Sequence, residues 1–230
     1  MSAEHYVFME AVAAPIPAPT TVPQAQLTIA GLRLALGDCV LAVSFLIAML
    51  PAGREISFTL AGGANIIWLA GAAIMAVMSF ARFAPRSATV NLRTITASGA
   101  MLILPCLMRP INPSVGALAT AGLVLELFGV MLTQVARVYM GRSFGILPAN
   151  RGIVSKGPFR WVRHPIYFGW LVLSIGYAMS YASPRNILLI AATLPFMVWR
   201  ISQEETHLSA DIAYRGYMEH VRYRLLPGVI

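Results

Sequence analysis

The sequence predicts an all-α fold, a polytopic integral membrane helix bundle of about five to six spans with a cytoplasm-facing polar cap. Composition is the first observation: 58% of the residues are hydrophobic and only 11% charged, where a soluble domain carries about 25% charged residues. Mean hydropathy is +0.71. The second is a series of long apolar segments separated by arginine-bearing loops. The third is a pair of polar stretches, 139–164 and 201–230, too hydrophilic to lie in hydrocarbon. The formal charge of +8 therefore concerns lipid headgroups and topology. No soluble basic domain is present to hold nucleic acid, and none is expected as a partner.

Residues 1–26 contain Pro15, Pro17, Pro19 and Pro23 and no Lys or Arg. A secretory signal needs a basic region ahead of its apolar core, so this stretch reads as a disordered, uncleaved tail. Residues 27–138 follow as the amino-terminal transmembrane helices, with apolar segments near 29–50, 59–81, 94–108 and 115–138. A span needs roughly 20 residues at about 1.5 Å per residue. Three of these segments reach that length, whereas 94–108 is short and ends at Pro105 and Pro110. Segments 165–182 and 186–200 are predicted to form a tight hairpin turning at Ser183-Pro184-Arg185-Asn186. Residues 139–230 then make up a carboxyl-terminal region of hairpin, polar loop and amphipathic helix.

Arginine placement orients the bundle. One side receives Arg54, Arg109 and Arg185, and the other receives the clusters 82–93, 142–163 and 215–224. Both termini and both polar stretches are expected to be cytoplasmic. Sixteen arginines against the single Lys156 suggest a bacterial inner membrane as the location. Cys39 and Cys106 lie in apolar segments without metal or redox spacing. They read as small buried hydrophobes, and no metal site is expected.

Chemistry is concentrated in the polar stretches. In Gly157-Pro158-Phe159-Arg160-Trp161-Val162-Arg163-His164-Pro165, Pro165 occupies a first helical position and pushes His164 into extended geometry. A helix N-terminus attracts anions, and Arg163 and His164 stand beside it. The plain alternative is an anchor, with Arg160 and Arg163 on phosphates and Trp161 and Trp170 in the aromatic belt. In the second stretch, Arg200, Glu204 and Leu208 share a helix face by their four-residue spacing. Glu205 diverges from Glu204 by about 100°. Paired carboxylates at the exit of an apolar span are costly unless a cation meets them; an Arg200–Glu204 salt bridge is the plain reading and a ligand cation the functional one. Cationic groups and carboxylates together suit a zwitterionic amino-acid moiety. Glu126, alone in an apolar span, reads as an interhelical partner for a polar residue such as Asn65 or Arg33, and Asp38 as a partner for Arg33.

These two stretches resemble the signature of the isoprenylcysteine carboxyl methyltransferase family, itself related to phospholipid N-methyltransferases. Gly157, Pro158, Phe159, Arg163, His164, Pro165 and Tyr167 match its first motif. Arg200, Glu204, Glu205, Leu208, Tyr214, Tyr217, Arg224, Leu225 and Pro227 match its second. The likeness covers about residues 140–230. It implies S-adenosyl-L-methionine as cofactor, held by Ile153, Val154, Gly157, Pro158, Arg163, His164, Pro165, Tyr167, Glu204, Glu205, Leu208 and Tyr217. Arg200 and Glu204 are implied as catalytic residues. The expected partners are membrane lipids and a lipophilic or lipidated acceptor: a prenylcysteine-like carboxylate, a lipid amine or a hydrophobic thiol. A sterol-type NADPH reductase and a non-catalytic membrane module are the alternatives.

Overall fold

The computed structural model describes residues 87–228 apart from 90, 146 and 147. The tail over 1–26 and the apolar segments 29–50 and 59–81, with Arg33, Asp38, Cys39 and Asn65, lie outside the described residues. Among the described residues five α-helices follow one another: α1 Leu92–Cys106, α2 Gly116–Met140, α3 Pro165–Ser180, α4 Pro184–Leu208 and α5 Ile212–His220. A two-residue antiparallel pair, β1 Ser87–Ala88 with β2 Ala149–Asn150, is a small departure from the all-α expectation.

Each helix starts where local chemistry allows it. Asn91 caps α1 through a reciprocal box: its Oδ1 accepts from the Thr94 amide at 2.9 Å, and its own amide donates to Thr94 Oγ1 at 3.0 Å. At 15 residues, α1 is about 22 Å long, short of a bilayer core. Pro165 and Pro184 open α3 and α4 at the position where a missing N–H costs nothing. Among the described residues, 116–143 and 184–208 are long and apolar enough to cross a membrane. Their outward faces carry Leu118, Val124, Phe128, Met131 and Val135 on α2 and Ile187, Leu188 and Val198 on α4, all exposed, as hydrocarbon contact requires.

The expected hairpin forms as a turn, but its two helices choose other partners. α3 packs along α2, and α4 packs along α1. The reason is a seam of small residues. A Cβ added at Gly129 would stand 2.6 Å from the Gly169 carbonyl, and one at Gly176 2.6 Å from the Gly122 carbonyl. Backbones in such contact gain dispersion that Leu-faced helices cannot reach in a membrane. Glu126 is buried in this seam against Gly176. At the end of the bundle away from the polar cap, Asn186 is fully buried. Its Nδ2 donates to the carbonyls of Arg109 (2.8 Å) and Tyr181 (3.1 Å), and its Oδ1 accepts from the Arg109 amide at 3.1 Å. One side chain thus joins the α1–α2 and α3–α4 turns.

The helix face drawn through Arg200, Glu204 and Leu208 agrees with the structure: α4 continues past its apolar segment to Leu208, so Arg200, Glu204 and Glu205 ride on the same rod as the apolar span.

Candidate active site

Residues 98–105 of α1, the polar ends of α2 to α4, the loop residues 143–145, 149 and 151–154, and α5 line a cavity. The loop forms its lip and is held from outside. β2 pairs with β1, His207 meets Ser87 Oγ at 3.1 Å and Thr89 Oγ1 at 2.7 Å, and Asn150 Nδ2 donates to Asp211 Oδ2 at 2.7 Å. Asp211 also caps α5 by accepting from the Ala213 amide at 2.9 Å, so a single carboxylate serves helix and lip.

Two acidic neighbours do different work. Glu204 faces the cavity and accepts at 2.9 Å from the Tyr167 hydroxyl. That hydroxyl in turn accepts at 2.5 Å from Arg200 Nε, and Arg200 Nη1 donates to Ser98 Oγ. The chain Ser98–Arg200–Tyr167–Glu204 therefore links α1, α3 and α4, and all four residues line the cavity. Glu205 lies one step round the helix, buried among cations. Its Oε1 is 3.1 Å from both Arg163 Nε and His164 Nε2, and its Oε2 is 2.8 Å from Arg224 Nη2. Two guanidiniums meet one carboxylate here, so the Arg163–His164 corner keeps a net positive charge even with His164 neutral.

Of the sequence-predicted residues, Ile153, Val154, Arg163, His164, Pro165, Tyr167, Arg200, Glu204, Leu208 and Tyr217 line the cavity. Gly157, Pro158 and Glu205 do not. Gly157, at φ +58° in a 3₁₀ turn, is pressed against the Tyr139 ring, which a Cβ would meet at 2.7 Å. Pro158 is buried beneath the same turn. Glu205 is turned away by helix geometry and held by Arg163, His164 and Arg224. The divergence of the two glutamates divides their partners: Glu204 looks inward, and Glu205 meets His164.

The anchor reading divides as well. Trp161 is 71% exposed and suits a belt position, whereas Trp170 is 7% exposed and lines the cavity. The Arg163 side chain is buried and does not snorkel. The structure adds wall residues that the sequence reading did not select: Ser98, Met101, Leu102 and Pro105 from α1, Thr133 and Arg137 from α2, and Arg151 from the lip; Tyr214 of the second motif also joins the wall from α5. Arg137 follows Thr133 by four residues at the polar end of an apolar span, a spacing that marks one face. Nothing in the sequence singles out Ser98.

Burial sets the ionisation of the groups on the cap. It pushes the Tyr214 hydroxyl well above the ordinary phenol range, reinforced by Glu204 and Glu205. It does the same to Tyr217, whose hydroxyl donates to the Phe159 carbonyl at 2.8 Å. Burial also pulls Arg151 below its ordinary value. Both tyrosines are therefore neutral hydrogen-bond donors at any physiological pH.

Residues 114–213 match the family model described as Phospholipid methyltransferase. Curated relatives include the protein-S-isoprenylcysteine O-methyltransferase of Rattus norvegicus, 32% identical over 94 residues (39% of this chain, 32% of the relative). That of Xenopus laevis is 33% identical over 99 residues (40% and 34%). Protein-S-isoprenylcysteine O-methyltransferase A of Arabidopsis thaliana is 31% identical over 108 residues (44% and 55%). The chain thus spans about a third to about half of the length of these relatives. Among solved structures, the eukaryotic intramembrane Ras methyltransferase ICMT aligns with a TM-score of 0.46 at 18% identity, covering 90% of this chain and 88% of that one.

Proposed function

We propose, from the premise that the carboxyl-terminal part of this chain belongs to the isoprenylcysteine carboxyl methyltransferase family, that the protein is a membrane-embedded methyltransferase. Its donor is S-adenosyl-L-methionine and its acceptor is lipophilic. The observation that carries this reading is the single cavity joining a cationic corner (Arg163, His164) to an inward carboxylate (Glu204) and an apolar wall (Met101, Leu102, Trp170).

The donor set fits the cofactor. Arg163 and His164 would hold the amino-acid carboxylate on the net positive charge that Glu205 leaves uncompensated. Glu204 would meet the ammonium or sulfonium. Ile153, Val154, Leu208 and Tyr217 would enclose the apolar and aromatic remainder. When bound, S-adenosylmethionine supplies a methyl group on a sulfonium that a nucleophile can displace in line.

The chain's own residues supply positioning and exclusion of water, the two contributions that govern such a displacement. Arg200 is fixed at Nε by Tyr167 and at Nη1 by Ser98, which orients its guanidinium toward an acceptor atom in the cavity. Tyr167 also restrains Glu204, so donor side and acceptor side share one hydrogen-bonded chain. Met101, Leu102, Pro105 and Trp170 give the acceptor's apolar part a dry wall.

Calorimetry on the detergent-solubilised protein tests the cofactor. S-adenosylhomocysteine should bind and NADPH should not, and the reverse pattern would overturn the reading. Methyl-labelled S-adenosylmethionine incubated with membranes, followed by mass spectrometry of lipid, protein and volatile fractions, identifies the acceptor class.

A further inference from the structure

The close of the sequence, Arg224, Leu225 and Pro227, neither lines the cavity nor enters the chemistry above, yet the segment is fastened at several points. The Tyr223 carbonyl accepts from the Arg163 amide and the Arg224 carbonyl from the His164 amide, each at 2.9 Å. The Arg224 guanidinium grips Glu205 Oε2 through Nε at 2.9 Å and Nη2 at 2.8 Å. Leu225 packs on the cluster of Trp170, Met197 and Ile201.

All of these contacts fall on the reverse of the cavity wall. Arg163, His164 and Trp170 face the cavity, and Glu205 adjoins Glu204. The Arg163 and His164 amides precede the first turn of α3, where no helical carbonyl can take them. The carbonyls of 223 and 224 do so instead. Glu205 then repeats the tie through side chains, holding Arg163 and His164 with one oxygen and Arg224 with the other.

We propose that residues 223–225 form a strap that holds the Arg163–His164 corner in its ligand-binding geometry, with Arg224 as the positioning residue that latches it. The proposal rests on the reading of the cavity as a cofactor site. Arg224 is 46% exposed in its side chain and acts only through Glu205 and its own carbonyl, so its loss removes the latch without opening a hole in the core. Leu225 is a second, apolar fastening.

The test combines hydrogen exchange and S-adenosylhomocysteine calorimetry on the full chain, for the parent, Arg224→Gln, Arg224→Lys and the exposed control Arg222→Gln. Without any ligand, Arg224→Gln should raise exchange in peptides covering 159–166 by about 10-fold and leave peptides over 122–133 unchanged, a local opening rather than unfolding. S-adenosylhomocysteine should bind roughly 10-fold more weakly, mainly through faster dissociation. Arg224→Lys should recover part of both effects, and Arg222→Gln should show neither. Unchanged exchange at 159–166, or raised exchange with parental affinity, overturns the strap. A loosened corner in a chain whose parent does not bind S-adenosylhomocysteine supports the strap and overturns the cofactor reading instead.

Discussion

Glu205→Gln and Glu204→Gln should separate stability from binding. Glu205 meets two guanidiniums and the His164 ring at 2.8–3.1 Å, and its partners Arg163 and His164 have side chains only 8% and 6% exposed. Removing one member of a buried pair costs about 3–5 kcal/mol, because the remaining charge stays buried without a partner. The Arg224 arm is half in solvent and adds at most about 1 kcal/mol. For a chain of this size each kcal/mol lowers Tm by about 2–4 °C, so Glu205→Gln should melt roughly 10 °C below the parent.

Glu204→Gln keeps an amide oxygen to accept from the Tyr167 hydroxyl, so its Tm should move little. Its cofactor affinity should fall by about 2–5 kcal/mol if Glu204 meets a desolvated cation. The assays are thermal melting in detergent and calorimetry with S-adenosylhomocysteine and S-adenosylmethionine in parallel. A Glu204→Gln protein that binds both ligands like the parent would refute the assignment of Glu204. Parental melting of Glu205→Gln would refute the account of the cation cluster.

Further outcomes follow from individual contacts. Gly129→Val, which drives a side chain into the Gly169 backbone, should destabilise by about 1–3 kcal/mol or more. Gly99→Val, at a position with open space, should not; equal melting of the two would refute the seam. Asp211→Ala removes the α5 cap and the Asn150 tie together, and should cost about 1–2 kcal/mol while raising protease sensitivity across 143–154. Cleavage at the parental rate would show that Asp211 does not hold the lip. The phenols of Tyr214 and Tyr217 are raised in the fold, so their contribution is intact below the unfolded value near 10. It is lost as pH climbs from there toward the folded values, by up to about 1.4 kcal/mol per unit per tyrosine. Denaturant midpoints that stay flat between pH 9.5 and 11.5 would contradict this.

Particular residues show how far the sequence reached. The four-residue spacing of Arg200, Glu204 and Leu208 places them on one face, and the cavity wall has all three. The helix start at Pro165 was legible from proline chemistry. The start of α4 at Pro184 was not, because Ser183-Pro184-Arg185-Asn186 reads as a turn, whereas the helix already opens at its proline. The α2–α3 pairing was present in the text as Gly122, Gly129, Gly169 and Gly176, small residues seven apart in two separate segments. Nearness in chain suggested α3 with α4 instead, since close backbone approach becomes visible only in three dimensions. Ser98 and the grip of Arg163, His164 and Arg224 on Glu205 depend on contacts between distant segments, which no local spacing encodes.

The continuity of α4 has a consequence for where its acidic turn lies relative to the bilayer. From Pro184 to Glu204 the rod rises about 30 Å, the thickness of a typical hydrocarbon core. With its start at one surface, its acidic turn emerges at the other. A thinner bilayer is met by tilting such a helix, and tilt carries Arg200 and Glu204 sideways. α2 and α3, locked backbone to backbone along their glycines, cannot follow that movement independently. A change of acyl-chain length in the surrounding lipid should therefore shift the alignment of Arg200 and Glu204 with Tyr167.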